Sequence, residues 1–81
     1  MEAGLKFIYD READILHIDT RAPYANQDSQ ELGDDVIARI NPQTGEVENL
    51  EVLFFSTRLL RHDMLNLPLT ADFRLAKVAS A

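Results

Sequence analysis

Asp10, Glu12 and Asp14 occupy alternate positions, and His17 stands three residues further on. Carboxylates at i, i+2 and i+4 open a calcium loop of the EF-hand type, where hard oxygen ligands converge on one cation. Such a loop also needs a glycine at its sixth position and a bidentate glutamate at its twelfth. Counted from Asp10, those positions hold Ile15 and Arg21, so the loop is incomplete at both. Asp10, Asp14, His17 and Glu51 form a second candidate set. They have the ligand types of a small metal-dependent hydrolase, provided the fold gathers all four around one cation. Histidine occurs only at positions 17 and 62, without the His-Glu-x-x-His spacing that puts two ligands on one helical face. Ser56, His62 and Asp63 supply the residue types of a nucleophilic triad, but neighbours on a helix point different ways. Ser56 also lacks the Gly-x-Ser-x-Gly elbow.

Each of these residues has a simpler structural use. An aspartate such as Asp10 accepts backbone N–H groups two or three residues on and so closes a turn. Asp14 can hold the other end of that turn. His17 is expected on a strand surface or opposite a neighbour. Within Leu50-Glu51-Val52-Leu53, Glu51 faces away from the core if Leu50 and Val52 face into it, and an open sheet face is the expected setting; the alternatives are that this face meets a partner, or that Glu51 pairs with Arg39 across the hairpin. The leading expectation is a structural role for Asp10, Asp14 and Gly45, with no catalytic, metal or cofactor site.

Positioning these residues calls for two hairpins. Residues 5–10 alternate Leu5, Phe7 and Tyr9 with Lys6, Ile8 and Asp10, the period of a strand. Residues 14–19 carry the β-branched Ile15 and Ile18, and the polar 10–13 stretch joins the two runs, so 5–20 is hairpin one. Residues 21–34 have no sustained period and contain Pro23, Asn26, Asp28, Ser29 and Gly33, which predicts a loop. Residues 35–53 form hairpin two around Asn41-Pro42-Gln43-Thr44-Gly45, where Gly45 can take the positive φ that closes the turn. Ser56 is the expected N-cap of a helix over 56–66. Leu60, Met64 and Leu67 would line its buried face, with Arg58 and Arg61 toward solvent. Apolar residues at 67, 69, 71, 73 and 75 predict a fifth strand over 69–77, with a helix from Thr70 as the rival. The expected fold class is α+β: an antiparallel sheet of two hairpins, four strands in all, with one helix packed on one face.

The chain is 81 residues long, which is one domain's worth, and a domain so small has a thin stability margin. It contains no cysteine, which removes disulfides, thiolate ligands and cysteine nucleophiles. No stretch has the build of a secretory signal or approaches a membrane span, so a cytoplasmic address and no membrane partner are expected. The net charge is −6. Twelve acids and four bases fall in residues 1–55, against two acids and four bases in 56–81. Such a balance disfavours nucleic acid; only Arg58, Arg61, Arg74 and Lys77 would serve it. It suits a basic protein partner. Leu53, Phe54 and Phe55 run together and cannot all enter one small core, so they are the expected interface of a homodimer.

The runs "YDREADILHI", "NPQTGEV" and "NLEVLFFS" resemble the small bacterial proteins catalogued as domain of unknown function 2283. Tyr9, Asp10, Asp14, Leu16 and Ile18 match the first block of that family. Gly45, Leu50, Glu51, Val52, Leu53 and Ser56 match the second. His17 stands where the family often has tyrosine, Asn49 replaces its usual glycine, and Phe55 replaces a small residue. The resemblance covers residues 5–60 and implies an α+β domain with no established activity. Some members are encoded beside small basic toxins of the ribonuclease type, so the resemblance also implies an antitoxin-like role. The functional expectation is a small acidic, non-enzymatic protein-interaction module.

Overall fold

The structure is a computed structural model that describes residues 4–61 and 66–75. Five strands and one helix follow in chain order: β1 (Lys6–Asp10), β2 (Ile15–Asp19), β3 (Asp28–Gly33), β4 (Val36–Ile40), β5 (Val47–Leu53) and α1 (Phe55–Arg61). The strands make one antiparallel sheet in the order β1-β2-β5-β4-β3. The fold class is therefore α+β. The two expected hairpins join through β2 and β5, with Leu16 opposite Val52 and Ile18 opposite Leu50.

The fifth strand is not where the sequence pattern puts it. Part of the expected 21–34 loop is β3, which pairs with β4 across a two-residue turn. Asp34 and Asp35 both adopt positive φ, 54° and 63°, the twist that joins antiparallel strands through so short a loop. β3 reads Asp28-Ser29-Gln30-Glu31-Leu32-Gly33, and its polar residues are mostly exposed. As an edge strand it needs backbone partners on one side only and little apolar surface, so hydrophobic alternation does not reveal it.

The expected strand at 69–77 is absent over its described part: residues 69–75 form neither strand nor helix, and 76–77 lie outside the described residues. Pro68 has no N–H to give a ladder. Leu69 N–H instead bonds back to the Leu67 carbonyl at 2.8 Å, a tight local bend. From it, Leu67 and Leu69 pack against the apolar side of the sheet.

That apolar side holds the core. Val36, Ala38, Leu50 and Val52 are its buried residues, and Leu16, Ile18, Leu32, Ile40, Val47 and Phe55 pack around them. Strand geometry explains the selection: residues i and i+2 share a face, so 36 and 38 on β4 stand beside 50 and 52 on β5.

The helix departs from expectation in orientation. Leu60, predicted to be buried, is 88% exposed, whereas Arg58, predicted to face solvent, is 5% exposed. Arg58 reaches the β3–β4 turn, giving Nη1–H to Asp34 Oδ2 at 2.9 Å and Nη2–H to the Asp34 carbonyl. The Asp34 carboxylate and carbonyl take the two terminal nitrogens of the guanidinium, so the polar side chain takes the inward position, although its buried Nε has no hydrogen-bond partner among the described residues. The expected extension of the helix to 66 runs through residues 62–65, which lie outside the described residues.

Candidate functional site

Asp14 is the hub of the first polar corner. It sits at the end of the β1–β2 turn with φ 57°, a conformation aspartate tolerates better than most residues. Its Oδ1 accepts the Tyr9 hydroxyl at 2.6 Å and the Ser56 backbone N–H at 2.9 Å. Its Oδ2 accepts the Ser56 hydroxyl at 2.8 Å. The Tyr9 hydrogen bond, followed by the two from Ser56, holds the Asp14 carboxyl below its ordinary value. The same bond to Asp14 pushes the Tyr9 phenol up. The expected cap of α1 is thereby corrected. Ser56 lies inside the helix, which begins at Phe55, and its hydroxyl donates to a carboxylate rather than accepting a helix N–H. The capping oxygen comes from Asp14, 42 residues earlier in the chain.

Asp10, at the other end of the turn, accepts the N–H groups of Glu12 and Ala13 on Oδ1 at 3.1 and 3.2 Å. In the β4–β5 turn Gly45 has φ 79°. The Oδ1 of Asn41 there accepts N–H from Gln43 and Thr44 at 2.8 and 3.2 Å.

A second polar corner escaped the sequence reading. Between Arg39 and Ile40 the register of β4 against β5 slips from Asn49 to Val47, so β5 carries one extra residue, Glu48. Such a bulge re-aims side chains, and here Glu48 and Asn49 both meet Gln27. Gln27 Nε2 donates to Glu48 Oε1 at 3.0 Å and to Asn49 Oδ1 at 2.7 Å. Glu48 also accepts the Tyr24 hydroxyl at 2.7 Å and Asn41 Nδ2 at 3.2 Å, with Arg21 at 3.6 Å. Asn49 Nδ2 donates to Asp19 and to the Arg21 carbonyl. These bonds, Gln27's first and Tyr24's second, hold Glu48 below its ordinary carboxylate value. Its acceptance of the phenol pushes Tyr24 up. Asn49 is 2% exposed, and every side-chain polar atom it buries has a partner, as buried polar groups require. The available signal was the run Val47-Glu48-Asn49-Leu50: two polar residues in succession break strand alternation.

The four residues of the metal-hydrolase set do not converge. Asp10 closes its own turn and Asp14 is committed to Tyr9 and Ser56. His17 and Glu51 face each other across β2 and β5, with His17 Nδ1 3.8 Å from Glu51 Oε2. Arg39 reaches that same oxygen at 3.4 Å. Among the described residues no group of three His, Cys, Asp or Glu is placed to hold a metal ion. His62 and Asp63 of the triad reading lie outside the described residues. Of the four basic residues in the last third, Arg58 is bound to Asp34 and Arg74 to Asp72 at 2.7 Å. Arg61 is exposed and Lys77 lies outside the described residues.

The apolar side of the sheet is only partly covered. An open cleft of about 1530 Å³ runs along it, lined by Leu5, Phe7, Leu16, Phe55, Leu59 and Phe73 among others. Phe7 is 63% exposed and Phe73 82%. Of the three residues nominated as an interface, Phe55 lines this cleft and packs against Tyr9, ring centroids 5.8 Å apart. Phe54 is exposed at φ 54°, and Leu53 is half-buried. The cleft exceeds the roughly 300–1,000 Å³ of small-molecule pockets and is open to solvent along the sheet.

No described helix is long and apolar enough to cross a membrane. No curated protein and no solved structure matches the chain. The family described as "Protein of unknown function (DUF2283)" matches over residues 6–56, more than half of the chain, and the chain belongs to that family.

Proposed function

We propose that this DUF2283 protein is a non-enzymatic interaction module whose first partner is a second copy of its own chain, met through the exposed apolar residues of its sheet. The carrying observation is the exposure of Phe7, Leu59 and Phe73 around a core that has four buried hydrophobic residues among those described. Burying apolar area contributes about 25 cal/mol per Å², and the exposed part of these side chains adds nothing to that contribution in the single chain. Light scattering on the size-exclusion peak tests the reading. A mass twice the 9.2 kDa chain at tens of micromolar is expected. A clean monomer at high micromolar concentration overturns it.

The acidic balance of residues 1–55 favours a second reading, an antitoxin-like hold on a small basic protein. Glu12, Asp28 and Glu46, all exposed, would face it. Co-expression with the product of the adjacent reading frame tests it. A stoichiometric, salt-sensitive complex is expected, and a basic neighbour that purifies alone overturns it.

A further inference from the structure

Among the described residues, β1 is an edge of the sheet and pairs only with β2. All five of its residues are exposed, including Phe7 at 63%, Ile8 at 50% and Tyr9 at 42%. An edge strand points the N–H and C=O of every second residue outward, unpaired. Natural sheets blunt such edges with charge, proline or bulges. β1 has one charge at each end, of opposite sign, and nothing between them but Phe7, Ile8 and Tyr9.

We infer that β1 is a self-complementary edge: it pairs antiparallel with β1 of a second copy, in a register centred on Ile8. This rests on the reading of the protein as a self-associating module and specifies the contact. In that register Ile8 faces Ile8 of the second copy, and Phe7 faces its Tyr9. Lys6 faces its Asp10, and the two-fold axis repeats each pair. Opposite charges and aromatic pairs directly across an antiparallel ladder are the favourable combinations. A two-fold axis requires a patch that complements itself, and Lys6-Phe7-Ile8-Tyr9-Asp10 meets that condition residue by residue. Residues directly opposite in a ladder point to the same side of the sheet. Phe7 and Tyr9 of both copies therefore meet on the apolar side and merge the two clefts. Ile8 projects to the other side, where its row continues with His17 and Glu51. Its pairing partner there is the same residue of the second copy. The product is a continuous ten-stranded sheet.

The absence of cysteine from the chain makes cross-linking a direct test. Opposed residues of an antiparallel pair have Cα atoms roughly 4.5–5.5 Å apart, within the range of about 4.4–6.8 Å that a disulfide spans. Under mild oxidation, Ile8→Cys is expected to convert to a disulfide-linked dimer, whereas Ser29→Cys, on the opposite edge, stays monomeric on a denaturing gel. If Ile8→Cys fails to cross-link while the unaltered chain scatters as a dimer, the edge pairing is overturned and self-association by another surface stands. Failure to cross-link together with a monomeric mass overturns both. Equal cross-linking of the two variants shows random collision and also overturns the register. Lys6→Asp leaves the Asp10 turn untouched and places like charges at both ends of the ladder. It is expected to weaken dimerisation about tenfold, an effect that shrinks in high salt. An unchanged dissociation constant overturns the pairing of Lys6 with Asp10.

Discussion

The two edges of the sheet are built on opposite plans. β3 presents Asp28, Ser29, Gln30 and Glu31, and its register is irregular between Glu31 and Gly33. Self-pairing of that strand about its polar stretch would set Asp28 against Glu31, like charge on like. β1 presents an apolar centre between one lysine and one aspartate. An edge that repels its own copy needs no cover, while an edge that matches its own copy invites one. The contrast extends inward. The end of β2 beside β1 is tied to α1 by Asp14. The β3 side is tied to α1 by Arg58, through Asp34. Each edge has its own polar fastening, and both lean on the same small apolar centre.

Removing that centre gives the largest expected effect. Leu50→Ala deletes one of the four buried hydrophobic residues among those described and is expected to cost about 3 kcal/mol. In a domain with so thin a margin, urea titration should find the variant largely unfolded. Loss of protection at one edge alone, in hydrogen exchange, would break the picture of a shared support. Arg58→Ala removes the fastening on the β3 side. Its two bonds to Asp34 include a carboxylate that is largely in water, so the expected loss is about 2 kcal/mol. Amide exchange should quicken in β3 and its turn before β1.

Asp14→Asn weakens the other fastening. The amide cannot accept as strongly from the Tyr9 hydroxyl and the Ser56 N–H, so the melting temperature should fall. Exchange should then quicken first in β1 and at the start of α1. A variant that melts with unchanged Tm would remove Asp14 from the account.

Acid and base sharpen the comparison further. Asp14 and Glu48 have folded pKa values depressed by the hydrogen bonds they accept. The stability they contribute is fully present above the ordinary carboxylate value and is lost as pH falls through the lower folded one. Tyr9 and Tyr24 are raised by those same carboxylates. Their contribution is fully present below the ordinary tyrosine value and is lost as pH rises through the higher folded one. Stability should therefore plateau across neutral pH and fall at both ends. Asp14→Asn should flatten only the part belonging to Tyr9 and Asp14, leaving that of Tyr24 and Glu48. Chemical denaturation across pH checks this.

The smallest effect is expected at the strand–helix junction. Phe54 is exposed and holds a positive φ that a bulky side chain adopts at a cost. Phe54→Gly relieves that cost but loosens the unfolded chain, so stability should change by less than about 1 kcal/mol. A larger loss would show that the Phe54 ring is buried in the assembled protein.

Much of the frame was legible because local patterns carried it. The alternation of Phe7 and Tyr9, the turn from Asn41 to Gly45 and the Leu50-Val52 pair each encode their element within a few residues. β3 was missed because an exposed edge strand carries no apolar alternation. The 69–75 segment was misread as strand because alternation records only which side chains seek cover, and Leu67 and Leu69 find it from an irregular backbone. The polar corner at Glu48 was hidden because Tyr24, Gln27 and Asn49 come from a loop and a bulge, and no spacing rule links them. Arg58 was placed on the wrong side of its helix because periodicity weighs hydrophobicity and not the distant Asp34 that receives the charge.

By itself, then, the sequence determined the two hairpins, the α+β class, the turn positions and a surplus of apolar residues near the start of α1. These depend on backbone preference and on contacts between near neighbours. Tertiary structure alone decided the strand order, which carboxylate caps the helix, which arginine is buried and which edge is left bare. Those outcomes turn on groups tens of residues apart satisfying one another's hydrogen bonds and charge, and only the folded chain brings them within reach.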